Sequence, residues 1–450
     1  MKSILYVCEK FRNGGLEEKI LSEVVNNKKH NIKSFLISND ILEKHTKTFE
    51  KTLKIDSSPI NKEHINTKNI LKNRDAICSF CKKHNIEFIE CHPNFISIPT
   101  ILAAEKLNLP ITFTLHGIVS CHFSYQHNTK TYLFVYILLK YGFDQYFAVA
   151  EYLQEIFSFL SSNMLISRNG FYPNTQLYER PQNQNKIAIA SRLDSDKSQI
   201  IIDFLQFLQG VRPPLVIDIY GNGDNINNVD DYIKNKNIHH QITLKGWQQN
   251  LAEHLTKNRY NAVFGMGRAA LDAIKSKTPC GILGYGGFID FLVPDNFDTF
   301  LKINLTSWDS FPKDKSFEKL LKDVFYNPEK YIIQDCQLKL LDNDILWAKH
   351  FEEINNINFK NKPIISKINS ILENNDEDVF NSLVPSQIAT IINDEHKYDI
   401  PYFIINTYLS EKMAYEEKLD DQKNEIKAIT SSTFWKTTKP LRSLLGKFHN

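Results

Sequence analysis

The chain has 450 residues, 42% hydrophobic and 24% charged, with a formal net charge of +2 and a mean hydropathy of −0.34. That length suffices for two or three domains, each with its own core. The near-neutral balance excludes a global nucleic-acid binder, so a charged partner must be met locally.

Only Ile4–Cys8 is apolar before Glu9 and Lys10, too short a run for a signal peptide. No run reaches the roughly 18 apolar residues of a spanning helix. Seven cysteines fit reduced thiols better than a disulfide framework. A cytoplasmic protein is expected.

The first third alternates strand and helix. Strands are predicted over 3–8, 32–38, 86–91, 111–115, 145–150 and 164–167, and helices over 16–27 and 97–108. Apolar strands separated by helices imply parallel pairing with both faces of the sheet covered. Within this part, "CSFCKKHNIEFIECH" gathers Cys78, Cys81, His84, Cys91 and His92, residue types that zinc can use. Ile77, Phe80, Cys81 and His84 recur at helical spacing, however, and "IEFIEC" reads as a buried strand. Side chains on such a helix and strand point different ways, so no metal is expected.

The polar, twice-proline segment 172–185 reads as a linker, after which the alternation restarts with strands over 186–191, 215–221, 241–247, 261–265 and 280–285. The expected organisation is a first unit over 1–172, a second over 186–355 and an extension over 356–450. Residues 356–400 show no clear period. Over 403–429, Ile405, Tyr408, Tyr415, Leu419, Ile426 and Ile429 fall on a heptad seam that suits a coiled coil with a partner or a second copy. The 431–450 tail interleaves Lys436, Lys439, Arg442 and Lys447 with Phe434, Trp435, Leu441, Leu444, Leu445 and Phe448. That mixture suits an anionic membrane surface; an amphipathic tail packed on protein is the alternative.

Four strand ends combine glycine or positive charge. Asn13-Gly14-Gly15 precedes the first helix, where backbone N–H groups can approach a phosphate. His116 ends the apolar strand of "TLHG" and can donate a hydrogen bond or shuttle a proton. Arg192 and Lys197 in "ASRLDSDKS" can serve one polyanion, with the intervening Asp194-Ser195-Asp196 expected to be a solvated turn rather than a metal site. Finally, "FGMGRAALD" frees the backbone at Gly265 and Gly267, adds Arg268 at a helix start and places Asp272 one turn on. Helix N-termini, two or three cations and a carboxylate suit a nucleoside diphosphate with its ribose.

In order and spacing, "NGGLEE", "TLHG", "AVAEYLQEIF…ISRNG", "ASRLDSDKS" and "LDAIKSKTPCGILGYGG" resemble the motifs of retaining, nucleotide-sugar-dependent glycosyltransferases of the GT-B fold (family 4 type), many of which build bacterial surface polysaccharides. The resemblance covers about residues 1–355. It implies an α/β fold of two doubly wound Rossmann-like units facing across a cleft, the first for the acceptor and the second for the nucleotide sugar, followed by a helical extension. It also implies transfer of a hexose, with retention, to a glycan or lipid-linked acceptor in polysaccharide or lipopolysaccharide synthesis, with no cofactor or metal.

By the same resemblance, Gly15, Arg192 and Lys197 would hold the diphosphate and His116 would position the donor sugar. Asp272 would take the place of the glutamate that binds the ribose hydroxyls. The family's first glutamate falls at Phe264, which cannot bind a sugar hydroxyl, and Arg268 is an extra cation that could compensate at the phosphate. A non-catalytic scaffold in a glycan-assembly complex and a nucleotide-sugar epimerase are the competing readings.

Overall fold

The computed structural model describes residues 1–56, 60–61, 64–93, 95–117, 129–173, 185–236, 238–306 and 316–374. Runs rich in Ile, Leu, Val and Phe form strands buried on both faces, as a helix-covered parallel sheet demands. The strands of the first unit are β1 (Ser3–Val7), β2 (Lys33–Ser38), β3 (Lys51–Lys54), β4 (Phe88–Cys91), β5 (Ile111–Leu115), β6 (Gln145–Ala148) and β7 (Leu165–Ile166). They form one parallel sheet in the order β7-β6-β5-β4-β1-β2-β3.

The second sheet contains β8 (Lys186–Ala190), β9 (Val216–Tyr220), β10 (Gln241–Gly246), β11 (Ala262–Gly265), β12 (Cys280–Gly284) and β13 (Gly287–Phe291). Its order is β10-β9-β8-β11-β12-β13, parallel except for the last pair. Strand order reverses direction between β1 and β4 in one sheet and between β8 and β11 in the other. Crevices outside the carboxyl ends of strands at such points are where open α/β sheets take ligands.

All the predicted strands form, within two residues at each end. Two strands of the main sheets escape the reading, besides the short pairs Lys10–Phe11 with Asp40–Ile41 and Ile60–Asn61 with His64–Ile65. The edge strand β3, "KTLK", has exposed lysines at both ends and only partly buried residues between them. β13 returns antiparallel from β12 after Tyr285-Gly286, in a segment for which no strand was predicted.

The helices that matter for the site are α1 (Gly15–Lys29), α2 (Thr67–His84), α3 (Ser97–Leu107), α4 (Glu151–Ile156), α5 (Ser195–Leu208), α6 (Arg268–Lys275), α7 (Asn343–Asn355) and α8 (Pro363–Asn374). The chain returns to the first unit at its end. Phe171 exchanges backbone hydrogen bonds with Leu341 and Asn343. On α7, Trp347 Nε1 donates to Asn27 Oδ1 on α1 at 2.9 Å. Then α8, formed within the stretch that showed no period, packs on α2 and α3, where Asn369 donates to the Leu102 carbonyl at 3.0 Å. Most of the 172–185 linker, the 403–429 heptads and the 431–450 tail lie outside the described residues. Among those described, no helix is long and apolar enough to cross a membrane.

Phe264 is fully buried on β11, its ring 4.8 Å from Phe204, 5.4 Å from Phe291 and 5.7 Å from Phe288. The side chain belongs to the aromatic core beneath the second sheet and does not face the other unit. An apolar residue fits that position, and a carboxylate there would be buried among aromatic rings.

Candidate functional site

In the second unit, two loops leave adjacent strand ends, with Ala190 of β8 in register with Gly265 of β11. Gly265 is close-packed: a Cβ there would lie 2.8 Å from the Ala190 carbonyl oxygen and 2.9 Å from Ala269 Cβ. Gly267 caps α6 at φ 53°, ψ −118°, a conformation that strains any residue with a side chain. Its N–H is already spent on the Leu305 carbonyl at 2.9 Å. The glycines therefore let β11 turn sharply into α6, whose N-terminus carries partial positive charge.

Arg192 on the neighbouring loop pairs with Asp194 at 2.9 Å and remains 55% exposed. Asp194 occupies the cap position of α5, and its carbonyl accepts the first-turn N–H groups of Lys197 and Ser198. Lys197 stands over the Tyr285 ring, 5.6 Å from its centroid. The side chains of Ser195 and Asp196 lie outside the described residues. A residue pair absent from the sequence reading supports this loop. Gly221, at φ 150°, brings the end of β9 so close that a Cβ would sit 1.7 Å from the Ser191 carbonyl oxygen, and at Gly223 one would lie 2.4 Å from the Leu193 carbonyl carbon. The Gly-x-Gly after "LVIDIY" was the available signal.

The first unit faces these loops directly. A Cβ on Gly15, at the start of α1, would lie 3.9 Å from Arg268 Cβ, so two helix N-termini approach one another. Gly14 is extended and carries no backbone strain. The first turn of α1 carries Glu17 and Glu18. Its dipole is thus partly met by the chain's own carboxylates, which makes the cations opposite more important for an anion.

Arg268 donates to the Gly170 carbonyl at 3.0 Å, across the units, and to Asp272 Oδ1 at 3.2 Å. Burial pushes the Asp272 carboxyl up; Arg268 opposes this and Glu18 adds to it. Arg268 and Asp272, expected to serve different parts of a ligand, are therefore joined, and a ligand must share or replace their pairing. Lys44 over the Trp247 ring at 4.4 Å is a further contact between the units that sequence spacing could not reveal.

His116 lies on the first-unit side, after β5. Its Nε2 is 2.9 Å from Nδ1 of His92, which follows β4. Burial, then His92 and Lys19, hold His116 well below the usual histidine range. The ring is therefore held neutral near pH 7.

Behind this pair lies a wholly buried charged cluster. Lys19 Nζ is 2.8 Å from Glu23 Oε1 and donates to Ser167 Oγ at 2.8 Å, while His350 Nε2 from α7 is 3.2 Å from Glu90 Oε1. Glu23, Glu90 and His350 place potential metal-ligating atoms within 4.8 Å of one another. The Lys19 ammonium already neutralises Glu23 there, and His350 already serves Glu90. The cysteines weighed for zinc disperse: Cys78 and Cys81 enter the core from α2, His84 packs on Phe80 at 4.6 Å, and Cys91 is buried on β4.

No family model and no curated protein matches the sequence. Solved structures match in shape. A glycosyltransferase from Rickettsia africae is similar at 17% identity and a TM-score of 0.54, over 83% of this chain and 99% of that one. The lipopolysaccharide outer core galactosyltransferase WaaB is similar at 13% identity and 0.54, over 78% and 98%. Anabaena HepE, solved with UDP and glucose, is similar at 14% identity and 0.51, over 83% and 100%. These neighbours and the two facing parallel sheets establish that the chain has the GT-B fold.

Proposed function

We propose that the protein is a glycosyltransferase that takes a hexose from a nucleoside-diphosphate sugar. The observation that carries this reading is the meeting of the Gly15 and Arg268 helix N-termini outside the β8/β11 switch point, beside Arg192 and Lys197. Preorganised cations and N–H groups can stabilise the charge that grows on a departing diphosphate, which is the main demand of the reaction. Arg192, Lys197 and Arg268 take that role, and Asp272 accepts from the ribose hydroxyls once Arg268 turns to phosphate.

No side-chain nucleophile is assigned at the reacting carbon. Retention then follows from attack on the face that the leaving group vacates. The fold neighbours HepE, with UDP and glucose, and WaaB, named for the lipopolysaccharide outer core, support a nucleotide-sugar donor and a glycan or lipid-linked acceptor in surface-polysaccharide synthesis. The basic, aromatic 431–450 tail would hold the enzyme on the cytoplasmic face of an anionic membrane, and the 403–429 heptads would join it to a partner or a second copy.

The test is release of nucleoside diphosphate from a panel of UDP-, GDP- and ADP-sugars, with and without a lipid-linked acceptor extract. The expected result is release from one donor class, abolished by Arg192→Ala and Lys197→Ala. Undiminished turnover in both variants would refute the assignment.

A further inference from the structure

The His92–His116 contact contains information about the direction in which a proton lies. The 2.9 Å between His92 Nδ1 and His116 Nε2 joins two neutral rings, so one nitrogen donates and the other accepts. Burial takes His92 down to about 4 despite attraction from Glu90, and Lys19 and His350 add to the lowering. What stands behind His92 decides the donor. Its Nε2 is enclosed, has no hydrogen-bond partner among the described residues and lies 4.0 Å from Glu90 Oε1.

Burial alone would raise the Glu90 carboxyl. The neighbouring His350, its hydrogen bond and the Lys19 ammonium reverse this and hold the carboxyl well below its ordinary range, so Glu90 is an anion. A carboxylate attracts an N–H dipole and repels an imidazole lone pair. The other groups around it do not change that sign. On α1, Lys19 is paired with Glu23; on α7, His350 donates to Glu90; and on β5, Thr114 donates to Glu90 Oε1 at 3.5 Å. Tyr6 of β1, the remaining neighbour, stacks on His92 at 6.4 Å.

We propose that Glu90, acting through His92, fixes His116 as the tautomer with hydrogen on Nε2, leaving Nδ1 a hydrogen-bond acceptor. His92 carries its hydrogen on Nε2, toward Glu90, and accepts from His116 at Nδ1. His92 and Glu90 are then positioning residues. For the proposed reaction, on which this consequence rests, the enclosed His116 Nδ1 can only accept a hydrogen bond and cannot donate one to a phosphate or carbonyl oxygen.

The test is a long-range proton–nitrogen correlation spectrum of the full chain labelled with 15N in the histidine rings, assigned with His92→Gln and His116→Gln. The expected result at pH 7 is a shared proton bonded to His116 Nε2 and coupled across the hydrogen bond to His92 Nδ1. Neither ring should titrate between pH 8 and 5. A proton bonded to His92 Nδ1, or a doubly protonated His116, would overturn the proposal.

Glu90→Gln should move part of the proton population to His92 Nδ1, and an unchanged spectrum in that variant would also overturn it. Should Glu90→Gln not fold, the wild-type spectrum decides. In turnover, His92→Phe should lower kcat on the order of 10²-fold with little change in donor KM. His92→Gln, whose amide oxygen can accept the same proton, should restore most of the rate. Absence of wild-type turnover would refute the proposed reaction but leave the tautomer result standing.

Discussion

The two faces of the candidate site carry charge in opposite ways. In the first unit, Lys19, Glu23, Glu90, His92 and His350 are buried and held largely by one another. In the second, Arg192 is more than half exposed on a loop and Arg268 is partly exposed at a helix start. Removing one member of a buried pair leaves an uncompensated charge in low dielectric and costs about 3–5 kcal/mol. An exposed pair contributes about 0–1 kcal/mol. The first face is therefore committed to folding and to the orientation of His116. On the second, Arg192 is nearly dispensable for folding, whereas Arg268 stays tied to Asp272 and the Gly170 carbonyl until a ligand replaces those contacts.

Substitutions can break that division. The largest effect is expected from Phe264→Glu, which would place a carboxylate among Phe204, Phe288 and Phe291. Burying that charge costs on the order of 5 kcal/mol or more, comparable to total stability. Circular dichroism should show an unfolded or insoluble chain, whereas a folded variant would mean that position 264 can turn to the cleft. Glu90→Ala comes next, with a loss of about 3–5 kcal/mol in denaturant titration.

Acid gives a third test. His92 has a folded value of about 4, below its ordinary value near 6.5, so the unfolded chain takes up its proton first as pH falls. Stability should therefore be complete above pH 6.5 and decline by about 3 kcal/mol toward pH 4. A flat profile over that window would show that His92 is not held neutral. Gly267→Ala should cost about 1–3 kcal/mol, because its positive φ is strained for alanine. Arg192→Ala should change thermal stability by less than about 1 kcal/mol, and a larger loss would place Arg192 with the structural charges.

Much of this architecture is legible in the sequence because parallel strands covered by helices must be apolar throughout. The same property hides which face a residue takes. Ala262, Val263 and Phe264 are all fully buried, so no alternation reveals that Phe264 points into the core. Glycine and cation patterns at strand ends pointed to Gly15, Arg192, Lys197 and Arg268, which the fold places at strand ends and helix starts, since such features depend on local chain geometry. They did not identify the tie between Arg268, Asp272 and the Gly170 carbonyl, which spans 98 positions. His350 was equally hidden: it meets Glu90 from 260 residues away, on a helix that crosses back to the first unit. Edge strand β3 was missed because its ends are lysines, which carry no apolar signal.

The most direct measurement is nucleotide binding by calorimetry, with UDP, GDP, ADP and CMP offered to the wild-type chain and to Arg192→Ala. Binding of one nucleoside diphosphate is expected, lost or strongly weakened in the variant while its melting temperature stays near that of the wild type. Binding unaffected by Arg192→Ala, or no binding of any of the four, would contradict a diphosphate site at the β8/β11 switch point.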